Sequence, residues 1–209
     1  MHIYAFGSIS RGDIQADSDV DLLAIVDEFD SRFSSDNYSI YSYSRLRDLW
    51  EEGNPFAWHL SLESRLVFSS NNEDYLKSLG LPSQYFNCGR DCHKFYSLFK
   101  EAIGSISAGK NTKVFDLSTV FLSIRNIATC YSLGKTSQPV FSRNSALHLG
   151  KSSLDITHEA YDIFLRSRIL CTRGYGPSIT DREFQVAVSQ FNRINEWMAL
   201  LMAQAEINE

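Results

Sequence analysis

Short apolar runs separated by polar turns fill the first part of the chain, up to about residue 70, which is typical of a small sheet with intervening helices. The runs predict strands over 3–6, 18–26, 38–43 and 66–68. A helix is predicted over 45–52 with Ser44 as its N-cap. A second helix is predicted to open at Asn54-Pro55, because proline suits the first helical position. Together these elements predict a small mixed α/β unit.

After Pro82 the apolar residues recur at i, i+3 and i+4, which is the spacing of amphipathic helices. The pattern predicts helices over 83–108, 116–133, 155–173 and 181–205, with glycine and proline in the segments between them. Helices of this length predict an antiparallel bundle. We therefore expect an α+β fold, with a small mixed sheet in residues 1–80 followed by an α-helical bundle in residues 81–209.

The composition is that of an ordinary globular protein, with 44% hydrophobic and 22% charged residues among 209. No apolar run approaches the roughly 20 residues that span a bilayer, and the first residues lack the features of a signal peptide. We therefore expect a cytoplasmic protein with no membrane partner. The cysteines lie in predicted helices without the second pair of a zinc site, so buried free thiols are expected: Cys88, Cys92, Cys130 and Cys171.

Charge divides the chain into two unequal parts. Residues 1–80 contain 6 Lys/Arg and 14 Asp/Glu, whereas residues 81–209 contain 14 and 11. The acidic first part suits a cation site, and the mildly basic second part suits a phosphate-bearing partner.

Two aspartates, Asp19 and Asp21, open the second predicted strand. Side chains at i and i+2 of a strand point to one face, so we expect these two carboxylates to project together while Val20 and Leu22 face the core. Mg²⁺ takes oxygen ligands and keeps coordination places for substrate phosphates. The pair therefore predicts a magnesium site.

The sequence also supplies groups suited to phosphate, directly after the first predicted strand. Gly7 lets the backbone approach a phosphate closely, and Ser8 adds a hydroxyl donor. Arg11 is placed to neutralise phosphate charge. Each fragment alone is typical of a turn, but the ordered set of strand, Gly-Ser, Arg-Gly and Ser-Asp-x-Asp favours a metal-nucleotide site.

Gly7-Ser8-Ile9-Ser10-Arg11-Gly12 followed by Ser18-Asp19-Val20-Asp21-Leu22 resembles the signature of the polymerase-beta-like nucleotidyltransferases, above all their minimal and aminoglycoside-modifying branches. The resemblance implies transfer of a nucleoside monophosphate from an NTP such as ATP, with release of pyrophosphate. It implies that Gly7, Ser8, Arg11 and Ser18 bind the nucleotide. Asp19 and Asp21 are then the catalytic metal ligands, holding two Mg²⁺ ions that stabilise the attacking and leaving oxygens.

The third carboxylate of that family has no counterpart in the third predicted strand, 38–43. Glu63, at the end of the second predicted helix, is the nearest acid and is our candidate for the catalytic base. Its alternative role is a solvated helix cap. His59 is interpreted as a residue of the helix surface or core edge.

Three functions stay open at this point. The first is an Mg²⁺-dependent nucleotidyltransferase acting on an NTP and an acceptor hydroxyl of a small molecule, a protein or an RNA end. The second is a catalytically silent nucleotide- or partner-binding module, favoured by the missing carboxylate. The third is a toxin–antitoxin component, since Arg125-Asn126 followed by Tyr131 is similar in part to the Arg-Asn…His pattern of HEPN ribonucleases. A homodimer is compatible with each.

Overall fold

The computed structural model of the protein describes residues 1–12, 20–28, 30–110 and 112–206. These residues form two compact units, Met1–Phe86 and Asn87–Glu209. The first unit contains a mixed sheet with helices and the second is helical, which confirms the predicted α+β class.

The first unit is built on one four-stranded sheet in the order β3-β2-β1-β4. Strand β1 is antiparallel to β2 and β4, whereas β2 and β3 are parallel. The strands are β1 (His2–Phe6), β2 (Asp21–Ile25), β3 (Tyr38–Tyr41) and β4 (Arg65–Ser69). The helices of this unit are α1 (Ser8–Arg11), α2 (Tyr43–Glu51), α3 (Pro55–Glu63) and α4 (Tyr75–Ser78).

One face of this sheet carries the hydrophobic core. Side chains of β1 and β2 pack there against α2, α3 and α4, burying apolar area that drives the fold. The buried cluster comprises Tyr4, Phe6, Leu23, Ile25, Leu46, Leu49, Trp50, Ala57, Leu60 and Leu76.

The strand β2 presents its odd-numbered side chains to this core. Leu23 and Ile25 are fully buried, whereas Val20 is 53% exposed. Our expectation that Val20 and Leu22 face the core was therefore wrong. Asp21 shares the face of Leu23, because side chains two residues apart on a strand lie on the same side.

Two further local features differ from the sequence-based expectation. Strand β3 ends at Tyr41, and Ser42 rather than Ser44 caps α2 by accepting a hydrogen bond from the Arg45 amide at 3.1 Å. The one-turn helix α1 occupies the position where the sequence indicated only a turn. The start of α3 is confirmed, with Asn54 as its cap and Pro55 as its first residue.

The second unit consists of α5 (Cys88–Ser107), α6 (Lys113–Lys135), α7 (His158–Arg173), α8 (Asp181–Val188) and α9 (Phe191–Glu206). A single helix was predicted over 181–205, but the chain breaks it after Val188. Ser189 is the C-cap of α8, and its hydroxyl donates to the carbonyl of Val186 at 2.7 Å. The apolar stripe continues on both sides of the break, so periodicity alone did not reveal it.

The cysteines are partly as expected. No disulfide joins the four of them, all of which lie in the described residues; Cys88, Cys92 and Cys130 are buried, but Cys171 is exposed, contrary to the prediction. A hydrogen bond with Cys88, together with burial, raises the pKa of the Cys92 thiol. Among the described helices, none has the length and apolar character to cross a membrane.

Candidate active site

The chain turns sharply at Gly7, directly after β1. Its backbone has φ 74° and ψ −140°, a conformation that side-chain-bearing residues rarely adopt. The next four residues form α1, and Gly12 ends that helix in the left-handed region at φ 77°. Ser8 and Arg11 are thereby the first and last residues of a single helical turn bounded by two glycines.

Asp21 lies directly against this turn. The antiparallel register of β1 and β2 pairs Phe6 with Asp21. A Cβ atom built on Gly7 would come within 2.4 Å of the Asp21 Oδ2 atom, well inside van der Waals contact. With a side chain at position 7 the carboxylate would have to move away, so glycine allows the phosphate-suited turn and the predicted metal ligand to lie together as they do here.

Glu63, the last residue of α3, forms the second polar feature of this unit. Its Oε2 atom accepts a hydrogen bond from the Arg11 guanidinium and another from His59 Nε2 at 2.9 Å. The side chain of Glu63 is 14% exposed, that of Arg11 is 22% exposed and that of His59 is 12% exposed. We call Arg11, His59 and Glu63 the α1–α3 ion cluster.

Phe6 connects the two polar features. Its ring lies edge-on to the His59 ring with 5.6 Å between centroids, and Phe6 is also the cross-strand neighbour of Asp21. The carboxylate of Asp21 and the α1–α3 ion cluster are therefore on the same face of the sheet, at the end of the hydrophobic core.

The structure thus brings together Gly7, Ser8 and Asp21 at one turn, and joins Arg11 to Glu63. Ser18 and Asp19 lie outside the described residues. Sequence analysis missed the Arg11–Glu63 pair, because 52 positions separate the two residues and no local pattern connects them. The i, i+4 spacing of His59 and Glu63 on a helix was the one available signal for their contact.

A cation site at Asp21 fits the chemistry of the residues present. A carboxylate is a ligand that Mg²⁺ prefers, and this one is exposed, at the start of β2. The absence of a side chain on Gly7 leaves the room that the carboxylate occupies. Among the described residues, no three His, Cys, Asp or Glu side chains form a ready metal cluster. Of the predicted aspartate pair, only Asp21 lies in the described residues.

A cavity of about 770 Å³ opens beside Asp21. It is lined by residues 20–22 at the start of β2 and by residues 35–39 before and within β3. Its volume falls in the range of roughly 300–1,000 Å³ that is common for small-molecule sites.

Two residues of the helical unit that resemble the HEPN pattern make hydrogen bonds within that unit. The Arg125 carbonyl accepts a hydrogen bond from Ser145 Oγ at 2.9 Å. Tyr131 is buried, and its hydroxyl donates to Gln204 Oε1 at 2.6 Å. These contacts tie α6 to its neighbours within the second unit.

Residues 2–81 match the family model of the nucleotidyltransferase domain. No curated protein sequence matches the chain. Among solved structures, the chain is similar to the spectinomycin adenyltransferase of Enterococcus faecialis, which was solved with ATP and spectinomycin. That likeness has a TM-score of 0.49 at 14% identity, and covers 95% of this chain and 91% of the other.

Proposed function

We propose that this chain is an Mg²⁺-dependent nucleotidyltransferase. The match of residues 2–81 to the family model of the nucleotidyltransferase domain supports this proposal. The enzyme would move a nucleoside monophosphate from an NTP to an acceptor hydroxyl and release pyrophosphate. ATP is the first nucleotide to test.

The observation that carries this proposal is the contact between Gly7 and Asp21. The site needs a phosphate-binding turn next to a metal-binding carboxylate. A Cβ built on Gly7 would come within 2.4 Å of Asp21 Oδ2, so a side chain at position 7 would push the carboxylate away from the turn. The spacing of Gly7 and Asp21 in the sequence did not by itself require this contact.

In the proposed reaction, the acceptor oxygen attacks the α-phosphorus and forms a new P–O bond. The bond between the α-phosphorus and the oxygen that bridges to the β-phosphate breaks, pyrophosphate leaves with that oxygen, and the acceptor hydroxyl releases its proton to water. Asp19 and Asp21 would hold Mg²⁺, which supplies charge stabilisation at the phosphates when bound. The Gly7 backbone and the hydroxyls of Ser8 and Ser18 would bind the triphosphate, with Arg11 beside them.

The cavity beside Asp21 has room for the nucleoside or the acceptor. Its lining is polar, including Ser35, Asp36, Asn37 and Ser39, which suits a ligand rich in hydroxyls or amines.

A second candidate is a catalytically silent Mg-NTP-binding module. The observation in its favour is that β3, with the sequence Tyr38-Ser39-Ile40-Tyr41, carries no carboxylate beside β2. Binding needs only the metal ligands and the triphosphate contacts, whereas loss of a general base typically lowers a rate by about 10²–10⁴.

Pyrophosphate release tests the proposal. The full chain is incubated with Mg²⁺, each of the common NTPs and a panel of hydroxyl acceptors, and Mg-ATP binding is measured in parallel by calorimetry. Asp21→Asn should abolish both signals. Asp48→Asn, which changes an exposed carboxylate on α2, is the matched control and should leave both unchanged.

If the wild type releases pyrophosphate and Asp21→Asn does not, the result supports an active enzyme. Binding of Mg-ATP without release with any acceptor supports the silent module instead. Equal release by the wild type and Asp21→Asn would contradict the assignment of the metal site.

A further inference from the structure

The α1–α3 ion cluster joins two elements that are distant in sequence. Arg11 ends α1 and Glu63 ends α3, and the two are linked through the Glu63 Oε2 atom. His59, one turn earlier on α3, donates to the same oxygen at 2.9 Å. One carboxylate oxygen therefore fixes the end of α1 to the end of α3.

Partial burial increases the effect of this link. All three side chains are less than a quarter exposed. Water and salt screen such a pair less than a surface pair, and hydrogen bonds between charged groups are stronger than neutral ones. The surface pair Arg45–Glu52, with both side chains about half exposed, offers a contrast in the same unit.

The helix α1 needs such support. It has only four residues, and a single helical turn is unfavourable to form in isolation. Glycines with positive φ flank it on both sides, so its ends are conformationally permissive. Ser8 and Arg11, the two α1 side chains predicted to contact phosphate, depend on this turn for their positions.

From this geometry we infer that Glu63 is a positioning residue: it acts through Arg11, holding α1 and the Arg11 guanidinium in place for the triphosphate, and is not the general base. The inference rests on the proposed function. A guanidinium has five N–H donors, so its bond to Glu63 is compatible with a further bond to a phosphate. The Oε2 atom of Glu63 accepts hydrogen bonds from both Arg11 and His59, which is the arrangement expected of a residue that holds its neighbours in place.

The two roles of Glu63 predict different kinetics. Loss of a base lowers kcat with little change in nucleotide affinity, whereas loss of a positioning contact to the triphosphate raises KM for the NTP. We expect Glu63→Gln to raise KM and the Mg-ATP dissociation constant about tenfold, on the scale of one charge-assisted bond, with kcat within about threefold of wild type. Glu52→Gln, which removes the surface pair, is the control and should change neither constant.

A double-mutant cycle tests whether Glu63 acts through Arg11. If it does, Arg11→Ala together with Glu63→Gln should raise KM no more than Arg11→Ala alone. Glu63→Asp, which keeps the charge on a shorter side chain, should restore part of the lost affinity.

Hydrogen exchange adds a measurement that needs no turnover. The amides of residues 8–12 should exchange faster in unliganded Glu63→Gln than in wild type or Glu52→Gln, because α1 loses its tie to α3. Circular dichroism checks that each variant is folded.

One outcome would overturn the inference and leave the proposed function intact. In it the wild type binds Mg-ATP, and Glu63→Gln changes neither KM nor the exchange of residues 8–12. A fall in kcat at constant KM would likewise overturn it and assign Glu63 as the base. Wild-type protein that neither binds nor turns over any NTP would overturn the proposed function, and with it the nucleotide-positioning role; faster exchange at 8–12 would then report only a structural tie.

Discussion

Substitution of Gly7 by alanine probes the closest contact in the candidate site. The added Cβ would lie 2.4 Å from Asp21 Oδ2, whereas an ordinary contact begins near 3.4 Å. The carboxylate oxygen must therefore move by about 1 Å, or the turn must open. Because Asp21 is proposed as a metal ligand, either change should affect metal-nucleotide binding as well as stability.

The expected cost has two parts. Alanine at φ 74° and ψ −140° adopts a sparsely populated conformation, which costs on the order of 1–3 kcal/mol. Pushing the Asp21 side chain away from its rotamer adds about 0.5–1.5 kcal/mol. Gly7→Ala should therefore destabilise the first unit by roughly 2–4 kcal/mol.

Gly12→Ala supplies a comparison for a positive φ without a neighbouring side chain, although its ψ of 10° differs from the −140° of Gly7. Its φ is 77°, and a Cβ built on it meets no atom within 4 Å, so only the left-handed conformation is penalised. We expect a loss of about 1–2 kcal/mol at Gly12. In the double variant Gly7→Ala/Asp21→Ala the contact is removed, so the part due to the carboxylate should disappear while the backbone part stays.

Urea unfolding followed by tryptophan fluorescence measures these differences, since Trp50 and Trp58 both lie in the first unit. Mg-ATP titration of the same variants reports on the site. Equal destabilisation by Gly7→Ala and Gly12→Ala, with no recovery in the double variant, would refute the close contact between Gly7 and Asp21.

Three further outcomes are expected. Ser8→Ala should weaken Mg-ATP binding by about 1–2 kcal/mol and leave adenosine binding unchanged in calorimetry, and equal loss for both ligands would indicate misfolding instead. Asp21→Asn should abolish Mg²⁺-dependent ATP binding without lowering the melting temperature of the unliganded protein, because one of two neighbouring predicted carboxylates loses its charge; unchanged affinity would contradict the metal role. The Arg166 guanidinium, with the Thr180 amide, lowers the pKa of Glu183 to about 2 from an ordinary 4.5. The stabilisation by this ion pair is present above pH 4.5 and is lost as the pH falls towards 2. The difference in urea midpoint between wild type and Glu183→Gln should therefore shrink over that range. A difference that stays constant with pH would contradict this expectation.

The sequence predicted the elements whose signals are local. The four strands, the two central helices of the first unit and the helical character of the second unit follow from apolar periodicity and from Asn54-Pro55. The break between α8 and α9 was missed because the apolar stripe continues across it. The helix α1 was missed because one turn is too short for a periodic pattern.

The sequence suggested candidate residues for the site but not their arrangement in space. Gly7, Ser8 and Asp21 were recognised from residue type and order, and the structure brings them to one turn. The even-numbered residues of β2 were predicted to face the core, whereas the odd-numbered ones do. Alternation shows which residues share a face of the strand, but not which of the two faces is buried. The Arg11–Glu63 pair depends on the tertiary fold that brings the end of α1 near the end of α3, which no local pattern encodes.

The corrected parity of β2 changes the electrostatic argument for the site. Asp21 lies on the same face of β2 as Leu23 and Ile25, and its carboxylate is at the edge of that face, where the apolar core ends. Phe6 lies on one side of it, and solvent reaches it from the other. A charge beside apolar side chains attracts a cation more strongly than the same charge surrounded by water, because the effective dielectric is lower. An aspartate on the opposite face would lack this flank, so the position of Asp21 at the edge of the core favours the binding of a divalent cation together with the triphosphate that it accompanies.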